Sequence, residues 1–224
     1  MSLSVLVAML LAGQGAYAQV ELLTSIDIGT AANNPGSTEI DLATGTSTVI
    51  GSGHDIWGNA DGFRFVYTTL PISGDFSVAV RIVSFERVDK WAKAGLIARQ
   101  SLEPGAKNAL STAAAGVADE PLGVQLTWRE ETDGETQELN FWELGGPSGF
   151  NDGEWVRLAR QGDDFSVSWS EDGATWADDY ATVTIQMDDP ILVGLAVTSC
   201  DEGLLCQAVF ENLLVNNVPI LMEG

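Results

Sequence analysis

Two glutamates flank an aspartate in Glu131-Thr132-Asp133-Gly134-Glu135, and these are the residue types with which a retaining glycosidase attacks and protonates a sugar. That chemistry needs both glutamates on one strand, pointing into one cleft and held rigidly across the scissile bond. Here Asp133-Gly134 lies midway between the strand-like runs 122–129 and 137–143, a pattern that predicts a hairpin tip in place of a catalytic pair. Acyl transfer has less to work with. His54 is the single histidine and no Gly-x-Ser-x-Gly turn occurs, so neither a serine triad nor a histidine metal cluster can be assembled. His54 itself is expected in a glycine-flanked surface turn. Cys200 and Cys206 are the only cysteines, too few for a zinc site, and a disulfide closing the loop between them is expected, with a buried strand-end thiol as the alternative.

Recognition chemistry is better represented. A sugar ring stacks its C–H face on Trp or Tyr while nearby polar side chains bond its hydroxyls. Trp128 and Trp169 are in phase with apolar neighbours and belong to the core. Trp57 and Trp91 sit beside glycine or charged residues, and Trp142 is out of phase with Leu139 and Phe141. These three are the exposed candidates, although packing is the ordinary role of each taken singly. Arg99 joins them through a cluster of bases between residues 81 and 107, unusual in so acidic a chain. That cluster either pairs internally, with Arg99 partnering a buried aspartate, or offers an anionic-glycan site beside Trp91; internal pairing is preferred.

The elements that must position these groups read as β-structure. Val78, Val80 and Ile82 share one face, and Val124-Leu126-Trp128 and Phe165-Val167-Trp169 alternate with polar residues, as half-buried strands do. Turn signals separate them, among them Asn34-Pro35-Gly36, Asp61-Gly62, Ser73-Gly74-Asp75 and Asp172-Gly173. Short strands at this spacing predict an all-β, two-sheet antiparallel sandwich. Residues 88–99 and 107–115 are rich in alanine, lysine and leucine and could be helical, but Gly95 falls within the first and Gly116 closes the second, and both are taken as strands. The seven-residue run from Ser170 to Trp176 resembles an Asp-box hairpin, a structural device.

In order along the chain, Asp27-Ile28-Gly29, the run from Gly53 to Tyr67, the run from Trp91 to Arg99, Trp155-Val156-Arg157-Leu158, the run from Ser170 to Trp176 and the run from Val193 to Ser199 resemble the landmarks of the concanavalin A-like (lectin/glucanase) β-sandwich modules of secreted bacterial proteins, of the kind grouped as DUF1349. The resemblance spans roughly residues 25–216 and implies a jelly-roll of two curved sheets, one concave. The superfamily holds lectins, glycosidases and structural modules, so it says far more about fold than about function. In such a sandwich, pairing of the first and last strands would bring Asp27 near Glu211, where a structural Ca2+ could bridge them; hydrogen bonding to backbone N–H groups is the alternative.

The 32 acids against 10 bases give a net charge of -22. That excludes ordinary nucleic-acid binding, which needs clustered Lys and Arg. The hydrophobic share of 45% places the acidity on a folded surface and not in a disordered tail. Residues 1–18 carry no charge and end in Ala16-Tyr17-Ala18, which reads as a signal peptide too short to span a bilayer. The expected organisation is thus a leader at 1–18, a linker at 19–24, one sandwich at 25–218 and a tail at 219–224, with no membrane insertion after cleavage and an extracellular or periplasmic location. The expected role is a non-catalytic module binding carbohydrate or a cell-surface polymer. A structural or adhesive envelope module without a small ligand is the alternative, followed by a glycoside hydrolase or lyase.

Overall fold

The computed structural model describes residues 23–114, 123–139 and 150–220, of which residues 178–180 are described as backbone alone. The expected leader and Trp142 lie outside the described residues. In chain order the strands are β1 (Leu23–Ile28), β2 (Ser37–Asp41), β3 (Thr46–Gly51), β4 (Asp55–Trp57), β5 (Ala60–Thr68), β6 (Phe76–Phe85), β7 (Lys93–Arg99) and β8 (Asn108–Ala114). They continue as β9 (Gly123–Arg129), β10 (Gln137–Leu139), β11 (Trp155–Gln161), β12 (Asp164–Ser170), β13 (Ala177–Thr184), β14 (Leu192–Thr198), β15 (Cys206–Val215) and β16 (Val218–Pro219).

These strands form two antiparallel sheets, ordered β1-β5-β14-β7-β8-β9-β10 and β13-β12-β11-β6-β15-β3-β2, with β4 added to β5 and β16 to β15. The chain crosses repeatedly from one sheet to the other, as in a jelly-roll sandwich. Period-two alternation builds the core between them. Val78 and Val80 of β6 stand opposite Leu158 and Val156 of β11, and they pack with Leu96, Leu126 and Leu195 from the facing sheet. Burial of these side chains from both sheets is what holds the layers together.

The first sheet is covered on its other face as well. Every described residue of β7, β8 and β9 is buried, because Ile56, Phe63, Phe65, Ile97 and Leu110 form a second apolar cluster on the outer side. The alanine-rich stretches are therefore strands: Ala94, Ala98, Ala109 and Ala113 are in the inner core, where closely packed layers leave room for small side chains. The chain reaches the outer face through Gly53, whose φ of +112 and approach to the Gly62 carbonyl leave no space for a Cβ. It then enters β4, which turns back into β5 through Gly58-Asn59 with Trp57 opposite Ala60. Gly58 at φ +62 supplies the positive φ that a two-residue hairpin needs at its first central position.

Candidate functional site

On the outer face of the first sheet, Asp55, Trp57, Trp91, Lys93, Gln125 and Glu138 line a cleft of about 280 Å³. The hairpin just described places Asp55 and Trp57 at one wall. The other aromatic wall stands on the turn before β7, where the Trp91 N–H donates to Asp89 Oδ1 at 2.8 Å and the Ala92 N–H to the Asp89 carbonyl at 3.1 Å. Gln125 rises from β9 and Glu138 from the short β10. Both tryptophans are exposed, at 37% for Trp57 and 44% for Trp91, which is enough ring surface to stack on a ligand.

One buried ammonium fixes the walls. Lys93, at 3% exposure, donates to Asp55 Oδ1 at 2.6 Å and to the Trp91 carbonyl at 3.1 Å. It thereby ties β4 to the Trp91 turn and neutralises Asp55, which also accepts the Ile56 N–H at 2.6 Å. A buried lysine held this way is a strut, since its charge and two of its three donors are spent. The Cys200 thiol donates to the same Trp91 carbonyl at 3.0 Å, and burial raises its pKa.

A second strut lies deeper. The buried Arg129 guanidinium donates through Nη2 to the Gly58 carbonyl at 3.0 Å, to Thr136 Oγ1 at 3.1 Å and to Asp61 Oδ1 at 2.6 Å. The Thr136 N–H and hydroxyl each donate to that same Gly58 carbonyl at 2.9 Å. The turn after Trp57 is thus clamped to the segment that leads into Glu138.

Trp57 and Trp91 are brought together as the exposed candidates. Arg99 is a correction as a ligand contact, because it is fully buried. Its Nη1 pairs with Asp61 at 3.3 Å, its Nε and Nη2 donate to the Ser101 and Glu103 carbonyls at 2.7 and 2.6 Å, and its guanidinium lies over Phe63. Burial lowers its pKa to about 10. Internal pairing also accounts for Arg64 with Asp27, Arg81 with Glu211 and Arg87 with Asp152.

Asp27 and Glu211 do not meet. Their strands belong to different sheets, β1 pairing with β5 and β15 with β3, β6 and β16, and each carboxylate is held by its own arginine. Among the described residues no group of three His, Cys, Asp or Glu is placed to hold a metal. The disulfide is corrected too: both cysteines are free. Cys206 is buried in the inner core opposite Gly51 of β3, whereas the Cys200 sulfur turns to the Trp91 carbonyl.

Glu131 and Glu135 stand exposed on the turn between β9 and β10, where Asp133 has φ 60 and the Gly134 N–H bonds the Glu131 carbonyl. His54 joins Thr30 Oγ1 at 2.8 Å and the Ala60 carbonyl at 3.1 Å, a structural use of both ring nitrogens. Asp55, Lys93, Gln125 and Glu138 escaped the sequence reading as a site. They come from four strands, and only the Trp91-Ala92-Lys93 spacing, with lysine at a strand start beside an exposed ring, gave any sign of them.

The sandwich has relatives among solved structures. It superimposes on a functionally unknown protein from Saccharomyces cerevisiae with TM-score 0.64 at 16% identity, covering 87% of this chain and 95% of that one. A xylan β-1,4-xylosidase from Bacillus halodurans follows with TM-score 0.53 at 11% identity, over 92% of this chain and 41% of the enzyme. What these superpositions share is the fold, a jelly-roll sandwich of two antiparallel sheets. A carbohydrate-binding module from Bacillus subtilis has TM-score 0.49 at 15% identity, over 86% of this chain and 94% of that one. At such identities the likeness concerns fold alone. No protein family and no curated protein matches the sequence, so the DUF1349 grouping gains no support.

Proposed function

We propose that this chain is a non-catalytic, secreted carbohydrate-binding module whose ligand, a glycan or cell-surface polymer, enters the cleft between Trp57 and Trp91. The carrying observation is two exposed tryptophans on one cleft whose floor and rim are polar. Sugar recognition needs that combination of stacking faces and hydrogen-bonding groups. The non-catalytic reading is supported by the condition of the carboxylates. Asp55 is neutralised by Lys93, and the Glu131/Glu135 pair lies on a turn outside the cleft lining.

A glycan array followed by calorimetry tests this reading. Trp57→Ala and Trp91→Ala should each weaken binding at least tenfold, since truncating a stacking aromatic at the centre of a site costs about 2 kcal/mol, and the melting temperature should hardly move. Binding that survives both substitutions unchanged would remove the cleft from the proposal. Hydrolysis of a bound glycan would remove the non-catalytic claim.

A further inference from the structure

We infer that the cleft selects uncharged glycans and rejects those bearing carboxylates or sulfates, an inference that rests on the carbohydrate reading above. All ten Lys and Arg residues of the chain lie among the described residues, so the positive charge available to an acidic sugar can be followed residue by residue. Lys93, in the cleft lining, is buried and committed to Asp55 and the Trp91 carbonyl. Arg99 and Arg129 are wholly buried around Asp61. Lys107 turns to the Gln186 carbonyl at 3.1 Å and to Glu131 at 3.9 Å, Arg64, Arg81, Arg87 and Arg160 pair with Asp27, Glu211, Asp152 and Asp189, and Arg157 donates to Ser168 and lies over Trp176.

Lys90 is the cation nearest the rim. Its ammonium lies 4.9 Å from the Trp91 ring centre, a cation–π contact that engages it, and Asp89 precedes it in the chain. Against this stands Glu138, exposed on β10 within the cleft lining. An acidic ligand would therefore bring its charge against a like charge, in a protein of net charge -22, with no uncommitted guanidinium to fork onto it. A neutral polyol gives up nothing there, because carboxylate oxygens accept hydroxyl donors readily. The ligand class is an uncharged hexose or pentose polymer presenting C–H faces to the two rings.

The test uses the full chain against matched polymer pairs, each an uncharged glycan and its carboxymethylated or sulfated derivative, drawn from β-glucans, mannans, xylans and dextrans. In 50 mM NaCl the uncharged member of a bound pair should bind at least tenfold tighter, and the ratio should shrink at 500 mM as screening shortens the field. Glu138→Gln should raise affinity for the charged member and leave the uncharged one within twofold. Equal or tighter binding of charged members would overturn the selectivity while leaving the carbohydrate reading standing. A ratio unmoved by Glu138→Gln would place the discrimination in overall charge and overturn its assignment to the cleft. Failure of every polymer to bind would overturn the carbohydrate reading and this inference together.

Discussion

Arg129 grips both oxygens of Asp61, with Nη2 to Oδ1 at 2.6 Å and Nη1 to Oδ2 at 3.1 Å, and neither side chain reaches solvent. Burial pushes the Asp61 carboxyl pKa up while the Arg129 hydrogen bonds and the charges of Arg99 and Arg129 hold it down. Removing one partner of such a cluster strands charge in the interior, a loss of about 3–5 kcal/mol. Asp61→Asn should accordingly lower the urea-unfolding free energy by that order. A change under 1 kcal/mol would mean that water reaches the cluster.

The thiols should be silent in the native protein. Burial pushes the Cys206 thiol up to about 12 and raises Cys200 as well, so almost no thiolate exists at pH 8. Alkylation should be undetectable before denaturant is added and should then recover two thiols. Recovery of no thiol after unfolding under non-reducing conditions would reinstate the disulfide. The sign for stability follows: native Cys206 keeps its proton where the unfolded thiol, near 9, has lost it. Stability should fall as pH rises between about 9 and 12, and Cys206→Ala should flatten that decline.

Gly53→Ala should destabilise by about 1–3 kcal/mol, the cost of forcing a side chain into a backbone conformation closed to it. The methyl would also push against the Gly62 carbonyl, which accepts the Thr198 hydroxyl at 3.1 Å. Because Gly53 leads into β4, weaker glycan binding should accompany the lower melting temperature. An unchanged melting temperature would show that the loop accommodates the methyl.

Asp172 of the Asp-box-like hairpin accepts the Thr175 and Ala174 N–H groups at 2.7 and 2.8 Å, and these bonds hold its carboxyl below the ordinary 3.8. A carboxylate with a lowered native pKa stabilises above its unfolded value, and that contribution disappears as pH falls through the native one. Asp172→Asn should therefore be less stable than the parent at pH 6, with the gap closing below pH 4. A gap independent of pH would place the effect in hairpin shape and not in charge.

The sequence revealed most about what period two and turn chemistry control. Val78, Val80 and Ile82 declared a strand, Asp133-Gly134 a hairpin tip, and the Ser170–Trp176 run its own turn, with the Ser170 hydroxyl donating to the Thr175 carbonyl at 2.6 Å. Arg99 was legible as a partner for some buried aspartate, which proves to be Asp61, but was misplaced as a ligand contact, because its environment is set by Phe63 and the loop at 101–103, remote or unmarked in sequence. Lys93 and Glu138 could not be paired with Trp57 in advance. Their neighbourhood depends on which strands adjoin, and β7 lies next to β14 and not next to β6. The cysteine error has the same root: six positions apart, the two residues leave one sheet and enter the other.

The strands at the two ends of each sheet give the acidity a meaning of its own. Among the described residues these are β1, β10, β13 and β2; β10 carries the exposed Glu138 and β2 the exposed Glu39 and Asp41, and no Lys or Arg occurs on any of the four. An edge strand offers unpaired backbone groups on which a second copy could extend the sheet. Here an approach along β10 or β2 sets carboxylate against carboxylate. The surplus charge thus works as a spacer between neighbouring molecules, strongest in dilute salt, that opposes fusion of their sheets.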